Sequence, residues 1–424
     1  MKSLKSLGAV TIGAILVSAT YALAVKDQNV RIKIDNDDER SIRHTVNGDR
    51  GEFILREENE TLEASWRGDI ELSDDGNGIK SVDRELEIEF VTADETQRAL
   101  FEDDRDGVEI TYFIDDEEQE LGGETDSAVA ELLLKFFRSS GVQSDERVEA
   151  LINTGGAAAV ITEFDFLAGD HAFRRYATAL SEQTELSSEE IITVAEKLKT
   201  IESDHDLRLA LKSVLEHQKL SSETIPSLIS AAESVESDHD LRLLVEAFAE
   251  GPLDGDAMEM ALGLYERIES DHDLRVAAEA LLENNDLSAA QAARLLETAA
   301  KSINSDHDMR LVLEETASLF SADQALTDAW LDGLATLDSD HDKRLSIESV
   351  AEEADHPQSA LIGLIEASTT IESERDLRLA LESIAENMDV DDDTVAAYRR
   401  AADGIESERE RQLALEVLGD LTGE

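Results

Sequence analysis

Ile201-Glu202-Ser203-Asp204-His205-Asp206-Leu207-Arg208-Leu209 is a phrase that returns down the chain, with its first residue again at Val235, Ile268, Ile303, Leu337, Ile371 and Ile405. A worn copy, Leu-Ala-Gly-Asp-His-Ala-Phe-Arg, starts at Leu167, and the steps are 34, 34, 33, 35, 34, 34 and 34 residues. Eight copies at one period are the signature of a stacked repeat array.

Each repeat reads as a helical hairpin. Ser187 and Glu190 have the spacing of a capping box and start a first helix, with Ile191, Val194, Ala195 and Leu198 at helical spacing behind them. Ser203, with Asp206 three residues on, caps a second helix; the same serine recurs as Ser237, Ser270, Ser305, Ser339, Ser373 and Ser407. Asp204 and Asp206 fall in that helix's first turn, where carboxylates favour the positive end of the dipole by about 0.3–1 kcal/mol each. Leu207, Ala210, Leu211, Val214 and Leu215 form one apolar stripe. A lone hairpin cannot bury such a stripe, so neighbours must stack.

The ends of the array suggest what joins the units. The Arg208 position is held by Arg174, Arg208, Arg242, Arg275, Arg310, Arg344 and Arg378, then by Gln412. The Asp206 position is Ala172 in the worn copy, then Asp206, Asp240, Asp273, Asp308, Asp342, Asp376 and Glu410. The acid is missing where no repeat precedes, and the arginine where none follows. Residues two apart on a helix do not face each other, whereas an arginine spans the roughly 8–10 Å between packed helices. The expectation is a ladder from each arginine to the acid of the next repeat, Arg174–Asp206 through Arg378–Glu410. Asp204, four residues before Arg208, is expected to pair with it locally.

The repeat length matches a tetratricopeptide repeat, but the W-x2-L-G-x2-Y signature is absent. The Ser203-to-Arg208 phrase, with Trp66-x-Gly68-x-Ile70 near the front, resembles the S-D-x-x-x-R repeats of exported bacterial proteins, some of them neighbours or tails of sensor peptidases of the BlaR type. The resemblance implies an α-solenoid and export, with no activity attached. No H-E-x-x-H zinc motif is present, so the peptidase itself is not.

Ahead of the repeats, residues 1–24 read as a signal peptide: Lys2 and Lys5, an apolar run, then Ala22-Leu23-Ala24 as a cleavage site. Residues 25–122 alternate apolar and polar positions (Val30, Ile32, Ile34; Leu86, Ile88, Phe90; Val108, Ile110, Tyr112, Ile114). That period argues strands, read as an antiparallel sheet of four to seven strands with Trp66, Ile70 and Leu72 in its core. Residues 123–166 read as a helical connector, with helices over Asp126–Arg138, Arg147–Asn153 and Ala157–Phe166. The array fills 167–424. The fold class is α+β multidomain and mainly α, a small antiparallel β domain before a right-handed α-solenoid of about eight 34-residue hairpins.

The chain of 424 residues carries a net charge of −60 and is 4% aromatic. Phosphate backbones need clusters of Lys and Arg, so nucleic acid is excluded as a partner. An acid excess this large fits salt adaptation, cation binding or a basic protein partner. There is no cysteine, hence no disulfide, thiol catalysis or lipid-attachment cysteine.

His171, His205, His239, His272, His307 and His341 sit beside acids and invite a metal reading. Arg375 and Arg409 occupy the same position in the last two repeats, and a cation cannot replace a ligand. A polar surface role fits better; near carboxylates such rings would make the array respond to pH. Asp35–Glu39 and Asp74–Asn77 lack full calcium-loop spacing. Ser203, His205 and Asp206 are triad residue types, but repeated copies at successive helix starts argue for capping. Arg67-Gly68-Asp69 reads as a turn. No catalytic residue, cofactor site or metal site is assigned. The functional expectation is an exported, non-enzymatic scaffold that binds a protein or peptide, a basic one favoured, in the cell envelope. Its alternatives are a cation-responsive envelope protein and an accessory regulator of a sensor peptidase. After signal cleavage no membrane span is expected.

Overall fold

The computed structural model describes residues 30–36, 40–105, 107–251, 253–320, 323–353, 356–386, 388 and 390–423. The expected signal peptide with its Ala22-Leu23-Ala24 site, residues 37–39 of the acidic string, and Pro252 lie outside them. The chain divides into two compact units, one ending at Thr184 and the other running from Glu185.

The first unit holds ten strands rather than four to seven: β1 (Val30–Asn36), β2 (Arg40–Asn47), β3 (Arg50–Glu57), β4 (Glu60–Arg67), β5 (Ile70–Leu72), β6 (Ile79–Val82), β7 (Glu85–Val91), β8 (Thr96–Asp104), β9 (Gly107–Ile114) and β10 (Glu117–Gln119). Eight form one antiparallel sheet in the order β1-β2-β3-β4-β7-β8-β9-β10, and β5 pairs with β6 separately. The additional strands are the charged ones, such as β2 and β8, where few apolar residues mark the period. Along the covered face, Phe53, Ala64, Ile88, Ala99 and Tyr112 are register partners from strand to strand, and all are buried. Trp66 lies opposite Gly51, where a Cβ would stand 1.9 Å from the indole; only glycine leaves room for that ring.

The helix Glu124–Ser140 lays Val129, Leu132, Leu133, Phe136 and Phe137 on this face, so sheet and helix share one core. Ser144–Glu163 follows with a break at Gly156 (φ 69°, ψ −168°), at the Gly-Gly pair that the sequence marks. The worn repeat's helix, Asp170–Gln183, falls in this first unit.

The second unit is seven helical hairpins. Their second helices are Asp204–His217, Asp238–Ala249, Asp271–Asn284, Asp306–Glu315, Asp340–Glu352, Glu374–Glu386 and Glu408–Thr422. First helices pack beside first helices and second beside second, giving two layers. The aliphatic that opens each phrase, Ile201 through Ile405, is buried between them, as are Leu207, Ala210, Leu211 and Val214. Ser187 and Glu190 make the full capping box, and Ser203 accepts from the Asp206 amide. Among the described residues no helix is long and apolar enough to cross a membrane.

Candidate functional site

The joints between repeats concentrate the polar chemistry. From each arginine, Nε donates to the acid of the following repeat: Arg242 to Asp273 at 2.7 Å, Arg275 to Asp308 at 2.8 Å, Arg310 to Asp342 at 2.9 Å, Arg344 to Asp376 at 2.9 Å and Arg378 to Glu410 at 2.6 Å. Arg208 donates to Asp240 in the same way. Arg174 and Asp206 belong to different compact units.

Two further partners complete the guanidiniums of Arg242, Arg275, Arg310 and Arg344, whereas Arg208 has Lys212 in place of the glutamate and Arg378 has Arg375 in place of the histidine. Nη1 donates to a glutamate four residues on within the same helix: Glu246, Glu279, Glu314, Glu348 and Glu382. Nη2 meets Nδ1 of the histidine three residues back at 2.9–3.2 Å: His205, His239, His272, His307 and His341. A guanidinium only donates, so Nδ1 accepts and the ring proton is on Nε2. The histidine column is thus tied to arginine, and a protonated ring could not keep that bond. The glutamate column was open to reading from its i, i+4 spacing; the histidine acceptor was not, because residue type alone does not say which neighbour a ring meets.

Asp204 does not pair with Arg208. It turns to the next repeat and accepts the amides of Glu236 (3.1 Å) and Ser237 (2.8 Å). Asp238, Asp271, Asp306, Asp340 and Glu374 treat Ser270, Ser305, Ser339, Ser373 and Ser407 alike at 2.7–2.8 Å. The approaching chain presents free amides just before its helix starts, a stronger draw for a carboxylate than an arginine already holding other acids. Each joint is therefore sewn twice, by side chain to side chain and by side chain to backbone.

These groups are largely covered: the Arg310 and Asp342 side chains are 14% and 18% exposed. Burial pushes the Asp308 carboxyl up, but the Ser305 hydroxyl and the Arg275 guanidinium outweigh it and hold it below the usual range. Asp376 is held down in the same way by Ser373 and Arg344.

The first unit has its own buried network. Arg147, 1% exposed, donates to Glu163 at 2.7 Å and to Asn77 Oδ1 at 3.1 Å, and also to Gly76 O. Arg138 grips Glu163 with two bonds of 2.6 and 2.9 Å. Burial pushes Glu163 up, and the two guanidiniums overcome it. In the Asp74–Asn77 loop, Asp75 accepts from Ser73 and from the Asn77 amide. The cation beside this loop is Arg147, which takes the Gly76 and Asn77 oxygens. His44, beside Phe53, Trp66 and His171, has both ring nitrogens buried without a partner. Burial, then the Arg175 charge, lowers its pKa to about 4.

No protein-family model matches this chain, and no curated protein does. A crystal structure of an engineered protein is similar at 15% identity, covering 71% of this chain and 76% of its own, with a TM-score of 0.24. At that score the likeness carries no argument about fold or function.

Proposed function

We propose that this protein is an exported, non-enzymatic repeat scaffold that holds a protein or peptide partner in the cell envelope. The observation that carries the reading is how the recurring polar residues are used. Their arginines, aspartates and serines are occupied in joining one hairpin to the next, which suits a frame rather than a reaction centre. A frame of side-by-side helices offers an extended surface, the property that repeat proteins use for recognition. The acidic charge favours a basic partner through complementary potential. Secretion rests on the signal-like first 24 residues, and cleavage after Ala24 would leave a chain whose described residues hold no helix long and apolar enough to cross a membrane.

Affinity capture tests this. The whole protein, immobilised, is exposed to a periplasmic fraction, with an equally acidic unrelated protein as control. A stoichiometric partner retained by the scaffold alone supports the reading; an identical set on both baits refutes it. Calorimetry with calcium or zinc distinguishes the cation-responsive alternative, which requires stoichiometric micromolar binding.

A further inference from the structure

One recurring position is left over by the joints. Except after Arg174, where Arg175 follows, the residue after each ladder arginine is aliphatic (Leu209, Leu243, Val276, Leu311, Leu345 and Leu379), yet each is only half-buried. Two residues earlier, by contrast, Leu241, Leu274 and Leu377 one place before the arginine are buried at 6% exposure or less. Four residues before each half-buried aliphatic stands the exposed histidine or arginine of the phrase, such as His239 or Arg375. Seven residues after it comes an exposed acid in five of these repeats: Glu216, Glu250, Glu283, Glu352 and Glu386. At 3.6 residues per turn, these three positions lie within about 40° of one line along the helix. Ladder arginines point to the next repeat and ladder acids to the previous one, so this line lies between the two joints.

Stacking second helices side by side turns the single residues into parallel lanes: imidazole N–H groups, aliphatics, then acids. Of the acids of the last lane, Glu216 pairs with Lys212, while Glu250, Glu283, Glu352 and Glu386 make no ion pair with another described residue, unlike the glutamates that face the ladder arginines. Where the lane residue is Ser318, the nearby Glu315 carboxyl is pushed up by burial and then by the charges of Glu283 and Glu279.

We infer that this lane-bearing face is where the scaffold takes its partner, an extended basic segment with an aliphatic residue at every third position. The inference rests on the scaffold reading and supplies its binding face. The period follows from two lengths. Packed helices lie about 8–10 Å apart, and a polyproline-type strand advances about 9.3 Å in three residues. Each third side chain of such a segment therefore meets the next lane aliphatic. Basic residues between them reach the acid lane, where complementary charge sets orientation and on-rate.

The probe is a fluorescein-labelled peptide of repeating Leu-Lys-Pro triplets, compared with an isomer of equal composition whose leucines are gathered in one block. Anisotropy is read with the full chain. The periodic peptide is expected to bind at least about tenfold more tightly than the isomer, because anchors in register carry most of the energy. A triple variant, L243N/L311N/L345N, should lose about tenfold, and E250Q/E283Q/E352Q, at exposed sites, should weaken binding and its salt dependence. Equal binding of the two isomers, no binding of either, or unaltered binding by the glutamine variant overturns the inference. Capture from the periplasm with the leucine variant separates the two claims. A partner held equally by variant and parent sinks the lanes and spares the scaffold; the absence of any partner sinks the scaffold, and anisotropy still decides the lanes.

Discussion

Removing one rung from the middle of the ladder should open the array at that joint. Arg310 donates to Asp342 of the next repeat and to Glu314 and His307 of its own. Arg310→Met keeps the aliphatic stem that packs between helices and deletes only the guanidinium. Stranding a fully buried carboxylate costs about 3–5 kcal/mol, and one charge-assisted hydrogen bond is worth about 1.5–3 kcal/mol. Asp342 and Glu314 keep 18% and 30% exposure, so water partly replaces the lost donor. The expected loss is therefore about 2–3 kcal/mol, less than full burial would give.

A double-mutant cycle with Asp342→Ala isolates the rung from the rest of the cluster. Glu314 and His307 remain as partners of Arg310 in the Asp342 single variant, so the coupling should be about 1–2 kcal/mol, measured by urea unfolding. Repeat arrays behave as chains of nearest-neighbour couplings. Weakening the Arg310–Asp342 joint should therefore lower hydrogen-exchange protection from Asp340 onward before the repeats ahead of Asp306 lose theirs. A coupling below about 0.3 kcal/mol, within the range of independent sites, would show the ladder to be without energetic weight. Uniform loss of protection across all seven hairpins would refute the nearest-neighbour picture instead.

Further outcomes follow from the same geometry. Asp306→Ala removes the acceptor of the Asp338 and Ser339 amides and should cost about 1–2 kcal/mol, with faster exchange of the Ser339 amide and little effect from Asp306→Glu. Lys212 occupies the position where later repeats place the glutamate partner of the ladder arginine, and it pairs with Glu216 instead, so the exchange Lys212→Glu/Glu216→Lys, which keeps that pair and adds one to Arg208, should stabilise by about 0.3–0.5 kcal/mol in a thermal melt at low salt; a lower midpoint would count against the three-partner cluster. The Asp308 and Asp376 carboxyls are held below their ordinary values when folded. Their contribution is fully present above the unfolded pKa of about 3.9 and is lost as pH falls through the lower folded value, so Asp308→Asn should flatten the acid limb of a midpoint-against-pH curve below about pH 4. His44 runs in the same direction but in a higher pH window. Its folded pKa of about 4 lies below the free value of about 6.5, so the unfolded chain binds the extra proton between them and stability falls by about 3 kcal/mol as pH drops from 6.5 to 4. His44→Phe should abolish that slope in the first unit, and an unchanged slope would place the titration elsewhere.

What could be read without coordinates follows a physical divide. The repeat and its helix pairs were legible because period and capping are properties of the sequence itself: Ser203 and Asp206, or Ser187 and Glu190, are fixed three residues apart wherever the chain goes. The ladder became legible through its loss at Ala172 and Gln412, a pattern that carries three-dimensional information in one dimension. Asp204 shows where this stops. Its spacing from Arg208 allowed a local bond, and only the placement of the next repeat's amides shows that a backbone cap competes for it. The β unit blurred for a related reason. A sheet with one charged face marks its strands by alternation only where the covered face is apolar, so Leu86, Ile88 and Tyr112 announced themselves while β2 and β8 did not. The same divide applies to Arg147 and Glu163. A buried ion pair joins positions whose neighbours in sequence say nothing of each other, and only the packing of a helix on a loop brings them together. The proposed binding lane falls on the legible side, since a lane that recurs with the repeat must be written in the repeat. From Arg208 onward an aliphatic follows every ladder arginine, at Leu209, Leu243, Val276, Leu311, Leu345 and Leu379, although neither the core nor the joints use it fully.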